Sequence, residues 1–151
     1  MSDPTLKEQI RQELTTAMKT GDKLKLGALR MLTAAIVNRE KDVLHGLSDD
    51  EVREIAAREV KRRNESIEAF ERGNRPDLVE KETAERQILT AYAPEQLTEA
   101  ELDRLIDEAI ATTGATTVKE MGKVMGAVMA QAKGKADGTA VQSKVRVRLG
   151  G

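Results

Sequence analysis

Gly122 and Gly126 stand one helical turn apart, with Lys119 and Lys123 beside them in sequence. Each glycine costs a helix roughly 0.5–1 kcal/mol relative to alanine, so a helix with two of them gives up stability for a close approach. With Ala130 they form a ridge that lacks side chains. Such a ridge admits either a neighbouring helix or a sugar–phosphate backbone with the lysines alongside. The charges bear on that choice. The whole chain is nearly neutral, with 25 Lys and Arg against 26 Asp and Glu, so bulk charge does not hold it on nucleic acid or membrane. Divided at Gly114, residues 1–114 carry 18 basic and 24 acidic side chains, net -6. Residues 115–151 carry seven basic (Lys119, Lys123, Lys133, Lys135, Lys144, Arg146, Arg148) and two acidic (Glu120, Asp137), net +5. Five net positive charges in 37 residues are the footprint of a phosphate-backbone binder, unless they only decorate helix ends and a tail. The candidate RNA-binding residues are these seven cations with Gly122 and Gly126.

Other chemistries find few residues to run on. The 151 residues include no Cys and no Trp, and His45, Phe70 and Tyr92 are each the only one of their kind. That removes disulfides, iron–sulfur clusters, thiolate zinc sites and Cys nucleophiles, and no metal site or cofactor is expected. The four serines, Ser2, Ser48, Ser66 and Ser143, lie in no Gly-x-Ser-x-Gly elbow. His45 precedes Gly46 at a helix end, where a cation suits the dipole. No catalytic residue is assigned, and no autonomous active site is evident. The scarcity of aromatics also argues against base-stacking sheets and barrels. The basic loop Lys133-Gly134-Lys135-Ala136-Asp137-Gly138 is not a Walker A loop. Met129 occupies the place of its first Gly, and Ala136 that of its Ser or Thr. Amides at the start of the following helix offer at most a place for an isolated phosphate.

The elements that position these residues are helices. Stretches rich in Ala, Glu, Leu, Lys and Arg are punctuated by Gly and Pro, the pattern of an all-α chain. Asp3, with Pro4 at the first helical position, is expected to open a helix with the stripe Leu6, Ile10, Leu14, Met18. Asp22 opens a second, burying Leu29, Leu32, Ile36 and Val37 and running to His45-Gly46. Ser48 with Glu51 forms a capping box, stapled by Leu47 and Val52. The third helix runs to Gly73 with Val52, Ile55, Ala56, Val60, Ile67 and Phe70 inward. Its other face, Arg58, Glu59, Lys61, Arg62, Arg63, Glu65 and Glu68, reads as solvated and laced with i,i+4 pairs. A fourth helix carries Leu78, Ile88, Leu89 and Tyr92 and ends before Pro94.

Leu97-Thr98 with Glu101-Leu102 repeats the staple and box, placing a boundary near residue 94. A fifth helix carries Leu102, Leu105, Ile106, Ala109 and Ile110. Thr117 with Glu120 is expected to cap a sixth, whose stripe runs Met121, Val124, Met125, Val128, Met129, Ala132; the methionines read as core filling. Asp137 opens a seventh, with Val141, Val145 and Leu149 inward. The expected architecture is a four-helix unit over residues 1–94 and a three-helix bundle over residues 95–151. No apolar run reaches the roughly 20 residues that span a bilayer, and Met1-Ser2-Asp3-Pro4 opens no signal-peptide core, which points to a cytoplasmic protein without a membrane partner.

Several stretches are together distinctive. They are Leu29-Arg30-Met31-Leu32-x-Ala34-Ala35-Ile36-x-Asn38-Arg39-Glu40, Glu65-Ser66-Ile67-Glu68-Ala69-Phe70 and Ala91-Tyr92-Ala93-Pro94-Glu95-Gln96-Leu97. The most specific are Met121-Gly122-Lys123-Val124-Met125-Gly126 and Gly134-Lys135-Ala136-Asp137-Gly138. With them the chain resembles the YqeY family along essentially its whole length. From about Leu97 it also resembles the tail domain of GatB, the B subunit of the glutamine-dependent amidotransferase that amidates misacylated Glu-tRNA(Gln) and Asp-tRNA(Asn). The resemblance implies an all-helical fold and a tRNA-binding accessory role linked to tRNA-dependent amidation. Its partners would be tRNA and an amidotransferase or other translation proteins. In that enzyme the body of the B subunit activates the carboxylate, a separate amidase subunit releases ammonia, and the tail contacts the outer corner of the tRNA. A carbon–nitrogen ligase activity with glutamine as amide donor would thus belong to the larger enzyme. The ending departs from the family pattern: Lys144, Arg146 and Arg148 stand where acidic and apolar residues are usual. The alternative from the residues alone is a protein-interaction adaptor, with a partner helix on the Gly122/Gly126 ridge.

Overall fold

A computed structural model describes residues 3–151; Met1 and Ser2, and with them the serine at position 2, lie outside the described residues. Among the described residues there are seven α-helices, one 3-10 turn and no strand, so the chain is all-α. They are α1 (Leu6–Thr20), α2 (Lys23–Val43), α3 (Asp49–Arg72), α4 (Pro76–Thr90), α5 (Glu99–Thr113), the 3-10 turn Val118–Glu120, α6 (Met121–Ala132) and α7 (Gly138–Arg148). The chain divides into two compact units, Met1–Pro94 and Glu95–Gly151, each with its own core.

The first unit is built around Leu29, Leu32, Val52 and Leu89, all fully buried. Its helix starts follow local chemistry. Ser48 and Glu51 exchange both bonds of the capping box, Glu51 N to Ser48 Oγ at 3.2 Å and Ser48 N to Glu51 Oε1 at 3.1 Å. The first helix starts two residues later than Asp3 suggests. Thr5 has Glu8 three positions on, and the pair satisfies two orphan amides reciprocally, which Asp3 cannot do. Asp49, at the start of α3, also accepts from Leu6 N at 2.9 Å and pins that first turn.

Two inward assignments and one helix end shift. Met18 is 58% exposed and Ala17 is buried in its place, because a period of 3.6 carries the stripe 6, 10, 14 to 17 rather than 18. Val37 is 42% exposed, its neighbour Ile36 holding the core side of α2. The second helix stops at Val43, short of His45, with Leu44 in the left-handed region at φ 61° and exposed. The Glu40 carboxylate draws the chain back there, accepting from Leu47 N at 2.9 Å and Lys7 Nζ at 2.5 Å. Those two bonds hold its acid strength above that of an ordinary glutamate.

The largest departure lies between α3 and α4. Glu59 and Arg63 are buried rather than solvated, and Glu85 of α4 is buried against them. The Arg63 guanidinium lies 3.4 Å from Glu59, 3.4 Å from Glu82 and 3.6 Å from Glu85, and Nη2 also reaches Met31 Sδ at 3.4 Å. Arg63 Nε makes no hydrogen bond. Three carboxylates thus share one enclosed cation in the most extensive helix pairing of the fold. Arg62, mostly exposed, adds a partner to Glu59 at 3.3 Å.

At the end of α4, the buried Tyr92 donates its hydroxyl to Glu13 of α1, and Lys25 of α2 meets the same carboxylate at 3.2 Å. The Tyr92 bond, then Lys25, lower the Glu13 pKa, while burial and Glu13 raise that of Tyr92. A carboxylate with a depressed folded pKa stabilises the fold above its unfolded value, 4.5 here, and that contribution disappears as pH falls through the folded pKa. Tyr92→Phe is therefore expected to lower unit stability by about 1 kcal/mol at neutral pH. The difference from wild type should shrink on acidification below the ordinary carboxylate range, as measured by denaturant unfolding at several pH values. A constant difference down to strong acid would show that the bond to ionised Glu13 is not its source.

In the second unit the core is Ile106, Val124, Val128, Ala132, Val141 and Val145. Asp137 caps α7, and Val141, Val145 and Leu149 face inward. Thr98 accepts from Glu101 N at 3.1 Å, but the return half of the expected box is not made. Thr117 makes no cap. Instead the Glu120 carboxylate turns back to Thr116, accepting from its amide at 3.2 Å, and residues 118–120 wind into a 3-10 turn before α6.

Candidate nucleic-acid interface

The helix α6 presents two contrasting faces. At about 100° per residue, Val124, Val128 and Ala132 fall on one side and are buried, with Met121, Met125 and Met129 partly buried against the same core. The methionines are core filling. Gly122, Gly126 and Ala130 fall on the opposite side and are exposed, as is Lys123. A Cβ added at Gly122 or Gly126 would meet no atom within 4 Å. The two glycines therefore do not serve packing inside the second unit, which removes the neighbouring-helix explanation within that unit. What they provide is a strip of helix backbone open to the surroundings.

Lys119 leads into this strip from the 3-10 turn and is exposed. Arg146 of α7 lies close by through the C-terminus. Gly151 donates its amide to Arg146 O at 2.9 Å and packs so tightly that a Cβ there would lie 2.5 Å from Val118 Cγ2 and 2.8 Å from Arg146 Cγ. Arg146 thus shares the neighbourhood of the turn that carries Lys119. Lys135 lies beyond the other end of α6, which at 12 residues is about 18 Å long. Its loop is fixed by Leu97 N donating to Lys135 O at 2.8 Å and Gln96 Nε2 donating to Gly134 O at 2.9 Å. Gly134 takes a left-handed φ of 76°, which the turn requires and a side chain would resist. Among the described residues, Lys119, Lys123, Lys135 and Arg146 have no ion-pair partner. Lys133, in the same loop, is already engaged within the chain.

Lys144 and Arg148 are placed differently. Lys144 Nζ lies 2.9 Å from Asp103 Oδ1, and Arg148 reaches Asp103 at 3.4 Å and Asp107 as well. The hydrogen bond to Asp103, then the charges of Asp103 and Glu99, raise the Lys144 pKa. Both aspartates belong to α5, on the N-terminal side of the Gly114 division, so the charge count of 115–151 cuts through a folded unit. Counted over 95–151, basic and acidic residues balance at eight each. The excess of positive charge is a local face of the second unit rather than its net property. The anion site suggested at the start of α7 is taken by the chain's own Asp137, which accepts from Thr139 N at 3.4 Å. His45, at the end of α2, is exposed, its ring nitrogen 2.9 Å from Gly46 O.

Two groups of functional interest escape a reading of motifs: the Arg63 cluster and the Asp103/Asp107 pair. Each has a signal. The apolar stripe of α3 runs 52, 56, 60, 67 and skips 63, that of α4 skips 82 and 85, and the charged residues fill those gaps. Asp103 and Asp107 repeat at i,i+4 on α5, as Lys144 and Arg148 do on α7.

No group of three or more His, Cys, Asp and Glu side chains is placed to hold a metal ion, and no helix is long and apolar enough to cross a membrane, among the described residues. Fold and site together define a two-unit helical protein whose distinctive surface is an exposed backbone strip bordered by cations. The chain belongs to the YqeY family, the Yqey-like protein model matching residues 7–149. It is similar to the mitochondrial protein named Altered inheritance of mitochondria protein 41 of Pyrenophora tritici-repentis, with 32% identity over 104 residues, covering 68% of this chain and 58% of that one. The protein of the same name from Eremothecium gossypii is 37% identical over 84 residues, 55% of this chain and 46% of its own. An uncharacterized protein of Schizosaccharomyces pombe is 30% identical over 92 residues, 61% of this chain and 75% of its own. The chain spans about half the length of the first two relatives.

Proposed function

We propose that the protein is an RNA-binding accessory factor that holds tRNA by its sugar–phosphate backbone. It would serve tRNA-dependent amidation, or another step of translation, through a partner amidotransferase or translation protein rather than through an active site of its own. The observation that carries the reading is the exposed Gly122–Gly126–Ala130 strip, bordered by Lys119 and Lys123, whose glycines no other element of the second unit packs against. A phosphate backbone needs close approach and point charges, and the strip offers both without base-stacking aromatics. Lys135, Arg146 and Lys133 extend the cationic border. In this reading Lys144 and Arg148 belong to the border only when they leave Asp103 and Asp107. Recognition would follow backbone charge and shape, so discrimination among tRNA bodies would be weak.

In gel shifts with bulk deacylated tRNA, the Lys123→Glu/Lys135→Glu double variant should bind at least about tenfold more weakly than wild type, about 1.4 kcal/mol. Equal binding would remove the interface. Retention of a helical partner from nuclease-treated lysate, with no shift of tRNA, would instead identify the strip as an adaptor surface.

A further inference from the structure

Asp103 and Asp107 repeat at i,i+4 on α5 opposite Lys144 and Arg148, which repeat at i,i+4 on α7. The rungs are Lys144 Nζ to Asp103 Oδ1 at 2.9 Å, Arg148 Nη2 to Asp103 Oδ1 at 3.4 Å, and Arg148 Nη1 to Asp107 Oδ1. All four side chains are between 31% and 66% exposed. Ion pairs about a third or more open to water are screened and hold their partners weakly, so another anion can compete with the carboxylates for these cations. Two shallow concavities lie along α7. One, of about 340 Å³, is lined by Asp103, Ser143, Lys144, Val147 and Arg148. The other, of about 310 Å³, is lined by Gln142, Ser143, Arg146 and Val147. They share Ser143 and Val147, which stand between them on α7, so a strand seated against the unpaired Arg146 reaches the paired cations by crossing that ridge.

We propose that Asp103 and Asp107 are built-in phosphate surrogates that keep Lys144 and Arg148 occupied, so that only a polyanion dense enough to displace both carboxylates recruits them. The device rests on the RNA-binding reading above. It sets a charge-density threshold on the ligand: tRNA meets the four free cations of the wild-type protein, and a polyanion of denser charge, such as polyphosphate at sufficient concentration, meets six.

Asp103→Asn/Asp107→Asn should bind tRNA more tightly, and its plot of log K against log salt should steepen by about 1–2, the release expected for two further phosphate contacts at about 0.7–0.9 each. The control Glu101→Gln/Glu108→Gln makes the same change in net charge at unpaired positions of α5 and should leave the slope unchanged. Adding Lys144→Gln/Arg148→Gln to the aspartate variant should abolish the steepening. Equal slopes in the aspartate variant and the glutamate control would overturn the proposal. A second readout is independent of tRNA. In NMR titrations with inorganic polyphosphate, the Lys144 and Arg148 signals of the aspartate variant should shift at lower ligand concentration than those of wild type. That shift without any tRNA binding by wild type would sustain the surrogate device and refute the RNA-binding reading. Coincident polyphosphate titrations would refute the device whether or not tRNA binds.

Discussion

Arg63→Ala is expected to destabilise the Met1–Pro94 unit by about 3–5 kcal/mol, the loss that follows removal of one partner from an enclosed ion cluster. The reason is an imbalance. Glu59 and Glu85 are as buried as Arg63, and Glu82 is nearly so. Without the guanidinium, three carboxylates face one another with only the exposed Arg62 alongside Glu59. The expected result in urea denaturation is a lower midpoint for the first unit. Arg63→Met combined with Glu59→Leu and Glu85→Leu should recover most of the loss, because an apolar replacement removes the two most buried carboxylates together with their partner and leaves only Glu82, the most exposed of the three. A loss below about 1 kcal/mol for Arg63→Ala would mean that water already solvates the cluster.

That cluster also shows where the sequence was readable and where it was not. Helix starts carried by a local exchange of bonds, such as Ser48 with Glu51 or Asp137 before α7, follow from residues three or fewer apart. Stripes of Leu, Ile and Val placed nearly the whole apolar core, since burial follows period and hydrophobicity. Arg63 is charged, and only the packing of α3 on α4 turns a gap in one stripe toward gaps in another. Asp3 lost the first cap to Thr5 because Glu8 completes a reciprocal pair, a contest between two legible signals. At the candidate site, the open glycine strip was legible as an oddity of composition. Its freedom from packing, and the diversion of Lys144 and Arg148, depend on which residues the fold brings opposite, and charge counted along a linear segment cannot see α5.

Gly122→Ala/Gly126→Ala is expected to act in opposite directions on stability and function. Both positions are helical, and an added methyl meets nothing, so each substitution should stabilise the second unit by about 0.5–1 kcal/mol through the lost freedom of the unfolded chain. The pair should raise the unfolding free energy by about 1–2 kcal/mol. The same methyls hold any bound backbone away from the helix and should weaken tRNA binding several-fold while every cation stays in place. Thermal unfolding and gel shift on one preparation read both effects. Stabilisation with full tRNA affinity would show that the strip is not the contact surface. Destabilisation would show that the glycines are structurally required.

The central claim is that the α6 face binds RNA through backbone phosphates, and the salt dependence of tRNA binding tests it most directly. With Lys119, Lys123, Lys135 and Arg146 as the free contacts, log K for wild type should fall against log salt with a slope of about -2 to -4. Lys123→Glu/Lys135→Glu should be shallower by about 1–2. Slopes that coincide, or tRNA binding that ignores salt, would contradict the account.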